Sequence, residues 1–92
     1  MENEVVVPGD KVLKAMGNPN RLRILFALDE KEMNVGELED MVMLSQSALS
    51  QHLAVLRKNK IVKTRRNAQA IFYSINSNLV KEILRIMRNF YD

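Results

Sequence analysis

The sequence predicts an α+β fold that is mainly helical, with the element order α-α-α-α-β-β-α. Apolar residues recur at helical spacing in four segments before Lys60 and again after Ser77, and two short runs rich in β-branched and aromatic residues lie between them. The chain has 92 residues, of which 47% are hydrophobic. That length suits one small domain over residues 1–92, and so small a core is often stabilised by oligomerisation.

The first two helices are separated by Gly17. Asp10 is expected to cap a short first helix over about residues 10–17, which Gly17 ends. Asn18 then caps the second helix, and Pro19 takes its first position, where a missing N–H costs no hydrogen bond. Because apolar residues dominate the second helix, we expect it to be central and largely buried.

A tight turn joins the third and fourth helices. After a polar connection over residues 29–33, Asn34 and Glu37 have the spacing of a capping box at the start of the third helix. Ser45 is placed to cap the fourth helix after a spacer of only two residues. Two short helices so closely joined, over about residues 34–59, predict a helix-turn-helix whose second helix enters the major groove of DNA.

The fourth helix has an apolar face and an opposite polar face. At about 100° per residue, Leu49, Leu53 and Leu56 form one apolar stripe. The serine and glutamine side chains of the other face can hydrogen-bond to base edges, and they carry no charge that would attract phosphate alone. We therefore expect base contacts from Gln46, Ser47, Ser50 and Gln51.

β-Branched and aromatic residues are frequent in residues 61–66 and 70–75, which predicts two strands. The short connection between them predicts a β-hairpin, which would form a wing over about residues 61–75. The hairpin tip lacks glycine. Asn67 tolerates the left-handed region better than most residues, so we expect it to take any position that requires a positive φ.

The charge distribution favours a nucleic-acid partner for the second half of the chain. Five basic and nine acidic residues precede Gln46, whereas nine basic and two acidic residues follow from Gln46 onward. His52, at the edge of the leucine stripe, is expected mainly to pack against the core, with a direct base contact or a phosphate contact as the alternatives. The expected phosphate and wing contacts are Ser45, which is mainly a cap, His52, Arg57, Lys58, Arg65, Arg66, Asn67 and Gln69.

The last helix, which Ser77 can cap, spans about residues 77–91 and is apolar around too much of its circumference for one core-facing stripe. The excess apolar surface predicts a homodimer formed through the first and last helices, which would place two recognition helices on successive turns of DNA. The expected interface residues are Val12, Leu13, Met16, Leu79, Ile83, Ile86, Met87, Phe90 and Tyr91.

Several motifs along the chain resemble the ArsR/SmtB family of bacterial winged-helix repressors. They are GNPNRLRIL, VGEL, LSQSALSQHL, VLR and IFYSI, at residues 17–25, 35–38, 44–53, 55–57 and 71–75. The resemblance covers about residues 10–91 and is strongest to the branch represented by NolR, HlyU and BigR. It implies a winged helix-turn-helix protein that dimerises through its first and last helices and represses by occupying a promoter.

The sensing residues of that family are missing from this chain. The resemblance implies metal ligands or thiols in the helix before the turn and in the last helix, but the chain has no cysteine and a single histidine. The positions that match the branch's cysteines are Glu39 and Asp92. Carboxylates without a histidine or cysteine beside them are poor ligands for soft metals. The acidic residues of these two helices are Glu37, Glu39, Asp40, Glu82 and Asp92. We expect no metal and no cofactor, and a thiol switch is excluded.

The function expected from the sequence is sequence-specific binding of double-stranded operator DNA by a homodimeric repressor at an imperfect inverted repeat. No membrane partner is expected, and the cytoplasm, at the nucleoid, is the expected location. A winged-helix module that binds protein or RNA without operator specificity stays as the alternative. Catalysis is not expected, because the one histidine has no nucleophile or triad partner.

Overall fold

The structure is a computed structural model that describes Val5 and residues 7–92. Within these residues, five helices and three strands follow one another. They are α1 (Asp10–Met16), α2 (Pro19–Glu30), β1 (Met33–Asn34), α3 (Val35–Val42), α4 (Gln46–Lys58), β2 (Val62–Asn67), β3 (Ala70–Ile75) and α5 (Asn78–Tyr91). The predicted α+β, mainly helical class is confirmed, and the structure adds one strand, β1.

The starts of α2, α3, α4 and α5 follow the capping residues of the sequence. The side chain of Asn18 accepts hydrogen bonds from the backbone of the first turn of α2, and Asn34 and Glu37 form the predicted capping box of α3. Ser45 and Ser77 cap α4 and α5 in the same way. These side chains supply acceptors for N–H groups that have no partner within their helix.

The predicted cap of α1 is wrong. Asp10 is the first helical residue, and the preceding Gly9 takes the cap position with a φ of +83°. Glycine adopts this left-handed conformation at little steric cost, so the chain turns into α1 without a side-chain cap. Asp10 instead lies 3.6 Å from the ammonium group of Lys14, one helical turn further on.

The unpredicted strand β1 completes a three-stranded antiparallel sheet in the order β1-β3-β2. Met33 pairs with Tyr73, and Asn34 pairs with Phe72. With only two residues, β1 has no alternation that a sequence pattern could reveal. Its position ties the start of α3 to the centre of the sheet.

The hairpin turn corrects a second prediction. Asn67 pairs with Ala70 at the end of the β2–β3 ladder, which leaves Ala68 and Gln69 as the two turn residues. Ala68, not Asn67, has the positive φ of 58°. Two-residue hairpin turns place positive φ values at their central residues, so the register decides which residue takes one.

Within the part of the chain that the structure describes, the buried apolar residues form one core, to which all five helices and the sheet contribute. Ile24 and Leu25 of α2 have no exposed surface, which confirms that α2 is central. The predicted stripe of α4 and the inner face of α5 are also buried. The buried residues of these two helices are Leu49, Leu53, Leu56, Val80 and Leu84. Such burial contributes about 1.5–3 kcal/mol for each large side chain.

Candidate nucleic-acid interface

The polar face of α4 lies open to solvent over its full length. The four side chains predicted to contact bases are all exposed, while Leu49 between them is completely buried. The exposed residues are Gln46, Ser47, Ser50 and Gln51. Ser45 is also exposed, and its hydroxyl oxygen accepts a hydrogen bond from the backbone N–H of Ala48 at 3.2 Å, as expected of a cap.

The turn between α3 and α4 is held in an unusual backbone conformation. Met43 has a φ of 57° and a ψ of 45°, and its N–H donates to the carbonyl oxygen of Glu39 at 2.9 Å. The guanidinium group of Arg23, from α2, donates to the carbonyl oxygen of Val42. These contacts close α3 and set the direction in which α4 begins.

The end of α4 leads into the wing through a Schellman motif. The N–H of Ile61 donates to the carbonyl oxygen of Leu56, and the N–H of Lys60 donates to that of Arg57, both at 2.9 Å. Lys60 takes the left-handed conformation at this point, with a φ of 60°. Because Leu56 and Ile61 are both fully buried, the motif fixes where the wing begins relative to α4.

A cleft of about 400 Å³ separates the exposed side of α4 from the wing. Its walls include Ser50, Arg57 and Lys58 from α4 and Tyr73 from β3. We call this space the α4–wing cleft. Tyr73 was not among the predicted site residues, and the strand alternation that places it opposite Thr64 could have indicated its side of the sheet.

Arg65 differs from the other predicted wing cations because it already has an anionic partner. Its Nε and Nη2 atoms donate to the carboxylate of Glu32 at 2.5–3.0 Å, and its guanidinium carbon lies 4.9 Å from the centroid of the Phe72 ring. The hydrogen bond from Arg65 lowers the pKa of Glu32, and the same bond raises the pKa of Arg65. Glu32 was missed because it is far from the wing in sequence. The exposed predicted residues near the wing tip are Arg66, Asn67 and Gln69.

His52 lies half-buried on the side of α4 that faces α2. Nη1 of Arg21 is 3.4 Å from Nδ1 of His52, and Nε of Arg21 donates to the carbonyl oxygen of Ala15 at 2.5 Å. This placement agrees with the expectation of a packed histidine. Arg21, which is not among the predicted site residues, connects the end of α1 with the middle of α4.

The residues predicted for a dimer interface divide into three groups. Most are exposed apolar side chains, three are half-buried, and Met16 is buried in the core of its own chain with 4% of its surface exposed. Met16 therefore stabilises the chain's own core, and its placement in an interface is corrected. The exposed members are Leu13, Leu79, Ile86, Phe90 and Tyr91, and the half-buried ones are Val12, Ile83 and Met87.

Among the residues that the structure describes, no three side chains of histidine, cysteine, aspartate or glutamate come together as a metal site. Over the same part of the chain, no helix is both long and apolar enough to cross a membrane.

Comparison with known proteins decides the family. The model for "Bacterial regulatory protein, arsR family" matches residues 18–64, from the cap of α2 through the helix-turn-helix into β2. The chain belongs to this family. The resemblance in the sequence motifs is thereby confirmed, and the protein is a transcriptional regulator with a winged helix-turn-helix.

Relatives of this arsR-family regulator include members of the predicted branch. The transcriptional activator HlyU of Vibrio cholerae is 49% identical over 87% of this chain and 74% of its own length. The nodulation protein NolR of Rhizobium meliloti is 53% identical over 86% of this chain and 65% of its own length. The crystal structure of the transcriptional repressor BigR from Xylella fastidiosa matches with a TM-score of 0.84 at 36% identity, over 89% of this chain and 84% of that one.

Proposed function

We propose that this regulator binds double-stranded operator DNA as a homodimer and represses promoters that carry an imperfect inverted repeat. The observation that carries the proposal is the continuous exposed polar face of α4, with the α4–wing cleft and the basic wing directly beside it. A relative that is named a repressor supports repression. The protein would act in the cytoplasm, at the nucleoid.

Base contacts are assigned to the polar face of α4. Gln51 and Gln46 each carry an amide that can pair with adenine through two hydrogen bonds. The hydroxyl groups of Ser47 and Ser50 can donate to or accept from base edges, and they are less selective for one base. Because Leu49 and Leu53 anchor the opposite face in the core, these four side chains are held on a rigid element.

Phosphate contacts are assigned to the cations around the α4–wing cleft and to the outer wing. Arg57 and Lys58 stand in the last turn of α4 and line the cleft, and Arg66 is exposed on β2. Strand alternation places Arg66 on the same face of the hairpin as Tyr73, which also lines the cleft. Ser45 and His52 are secondary candidates at the start and side of α4, and Asn67 and Gln69 are candidates at the wing tip.

Dimerisation is assigned to the exposed faces of α1 and α5. Leu79, Ile83, Ile86 and Phe90 follow one another at helical spacing along α5, and Phe90 is 80% exposed. An apolar stripe of this length on a small protein indicates a partner surface. A second copy fits best, because two-fold symmetry presents two α4 helices to an inverted repeat.

Base contact is tested by selecting a binding site from random duplex DNA and measuring Gln51→Ala. We expect this variant to lose about 5–150-fold in affinity for the selected site, the range for one good base pairing, with unchanged binding to unrelated duplex. Arg66→Ala is the control and should weaken binding to both DNAs. Equal losses of affinity for both DNAs in Gln51→Ala would contradict base contact by Gln51. Tighter binding of the wild-type protein to RNA than to any duplex DNA would favour an RNA-binding module.

Dimerisation is tested by sedimentation of Phe90→Asp, which places a charge in the apolar stripe. We expect this variant to sediment as a monomer at concentrations where the wild-type protein is a dimer. Asn89→Asp adds the same charge beside the stripe and should remain dimeric. If Phe90→Asp remains dimeric, the interface does not include the end of α5.

A further inference from the structure

Glu32 and Arg65 form the most extensive side-chain contact near the wing. Nε of Arg65 donates to both carboxylate oxygens of Glu32, at 2.9 and 3.0 Å, and Nη2 donates to one of them at 2.5 Å. The two residues are 33 positions apart, so the contact joins distant segments of the chain. A planar guanidinium that meets a carboxylate through two nitrogens is held in orientation as well as in distance.

The segments that this pair joins are the wing and the entrance to the helix-turn-helix. Glu32 immediately precedes β1, and Asn34 of β1 is also the cap of α3. Arg65 stands on β2, opposite Phe72 of β3, and Phe72 in turn pairs with Asn34. With the Arg65 guanidinium over the Phe72 ring, the contact spans the whole width of the sheet.

The same strand alternation separates Arg65 from the α4–wing cleft. Val62 is buried against the core, and residues of a strand alternate between faces, so Thr64 and Arg66 share the face of Val62 while Arg65 lies on the opposite one. Tyr73, which lines the cleft, pairs with Thr64 and therefore belongs to the cleft side. Arg65 points away from this side, toward Glu32.

We propose that Glu32 is a positioning residue for DNA binding, which holds the wing through Arg65, and that Arg65 itself does not contact a phosphate. The proposal rests on the proposed function and assigns the phosphate contact of the wing to Arg66. Glu32 would act by keeping β2 and β3 at a set angle to α3 and α4, so that Arg66 and the cleft residues meet the DNA backbone together.

The test uses the dependence of DNA affinity on salt, because each lost phosphate contact lowers the slope of log affinity against log salt by about 0.9. The variants are Arg65→Ala, Glu32→Gln and, as matched control, Arg66→Ala, each measured on one selected duplex. We expect Arg65→Ala and Glu32→Gln to weaken binding by up to about fivefold, the range for an exposed ion pair, with an unchanged salt slope. Arg66→Ala should lower the slope.

Charge reversal separates positioning from contact. Arg65→Glu alone should weaken binding, and adding Glu32→Arg should restore much of the affinity, because the ion pair forms again with its charges exchanged. A phosphate contact could not be rescued in this way, since a carboxylate would still face the DNA. Three results would each overturn the proposal: a reduced salt slope for Arg65→Ala, no rescue by the exchanged pair, or tighter DNA binding by Glu32→Gln. Tighter binding by Glu32→Gln would show that Glu32 competes with DNA for Arg65.

Amide hydrogen exchange in the free protein keeps this test separate from the proposed function. We expect Glu32→Gln and Arg65→Ala to speed exchange in β1 and in the wing but not in α5, whatever the ligand of the protein. If the wild-type protein binds no duplex while these amides respond as expected, the proposed function fails and the link between Glu32 and the wing stands. If duplex binding is normal and the amides do not respond, the positioning role fails alone.

Discussion

Met43 stands in the turn of the helix-turn-helix with a φ of 57° and a side chain that is 83% exposed. The left-handed conformation costs a residue with a Cβ atom about 1–2 kcal/mol, which glycine avoids. Glycine also makes the unfolded chain more flexible, which costs roughly 0.5–1 kcal/mol of stability. Because the exposed side chain of Met43 contributes little burial, we expect Met43→Gly to stabilise the protein by about 0.5–1 kcal/mol.

Thermal unfolding at a fixed protein concentration measures this effect, since the melting temperature of the proposed dimer would depend on concentration. For a domain of this size, we expect a rise of about 2–8 °C in Tm. Met41→Gly is the matched control. Met41 lies two residues earlier, within α3, and is 57% exposed, so its replacement should destabilise the protein by about 1 kcal/mol or more.

The two methionine variants thus carry opposite predicted signs for the same chemical change. If Met43→Gly lowers Tm as Met41→Gly does, the Met43 side chain stabilises the protein and the argument from its backbone conformation is refuted. Affinity for the selected duplex should stay unchanged in Met43→Gly, because glycine adopts the existing conformation of the turn without strain.

Three further predictions concern the cap, the core and the wing. Asn34→Ala removes the capping box of α3 and should cost about 0.5–2 kcal/mol in urea unfolding, and an unchanged midpoint would contradict the role of the cap. Leu49→Ala should lower the free energy of unfolding by about 2–5 kcal/mol because Leu49 is fully buried. The adjacent exposed Ser50→Ala should change it by no more than about 0.5 kcal/mol. Similar urea midpoints for the two variants would refute the assigned faces of α4. The ion pair with Arg65 lowers the pKa of Glu32 in the folded protein relative to the unfolded chain. The pair therefore stabilises the fold at pH values above the pKa that Glu32 has in the unfolded chain, and this contribution is lost as the pH falls through the pKa of the folded state. The Tm of the wild-type protein should therefore exceed that of Glu32→Gln near neutral pH and converge with it in acid, and a constant difference across that range would exclude this linkage.

Features that depend on neighbouring residues were predicted well. Asn34 and Glu37 are three residues apart, and their capping box needs only the local turn of the chain. The apolar stripe of α4 likewise follows from helical spacing, and its three leucines are buried. The exposure of Gln51 on the opposite face is the other half of the same pattern.

Features that depend on distant residues were missed or misplaced. β1 exists because Met33 and Asn34 find partners in β3, roughly forty residues later, and two residues carry no periodicity of their own. The positive φ in the hairpin fell on Ala68 because the register of the ladder, and not the preference of Asn67, decides the turn position. Met16 has the same apolar character as the exposed Leu13, and only packing distinguishes them.

The sequence by itself determined the family, the caps that begin α2 to α5, and the polar face of α4 with its buried reverse side. Each of these depends on side chains within one or two turns of one another, or on motifs that lie in order along the chain. The tertiary structure alone decided which wing arginine forms an ion pair with Glu32. Arg65 and Arg66 are equivalent as neighbouring cations in the sequence, and they differ because strand alternation turns one toward Glu32, 33 positions away, and the other toward the face beside α4.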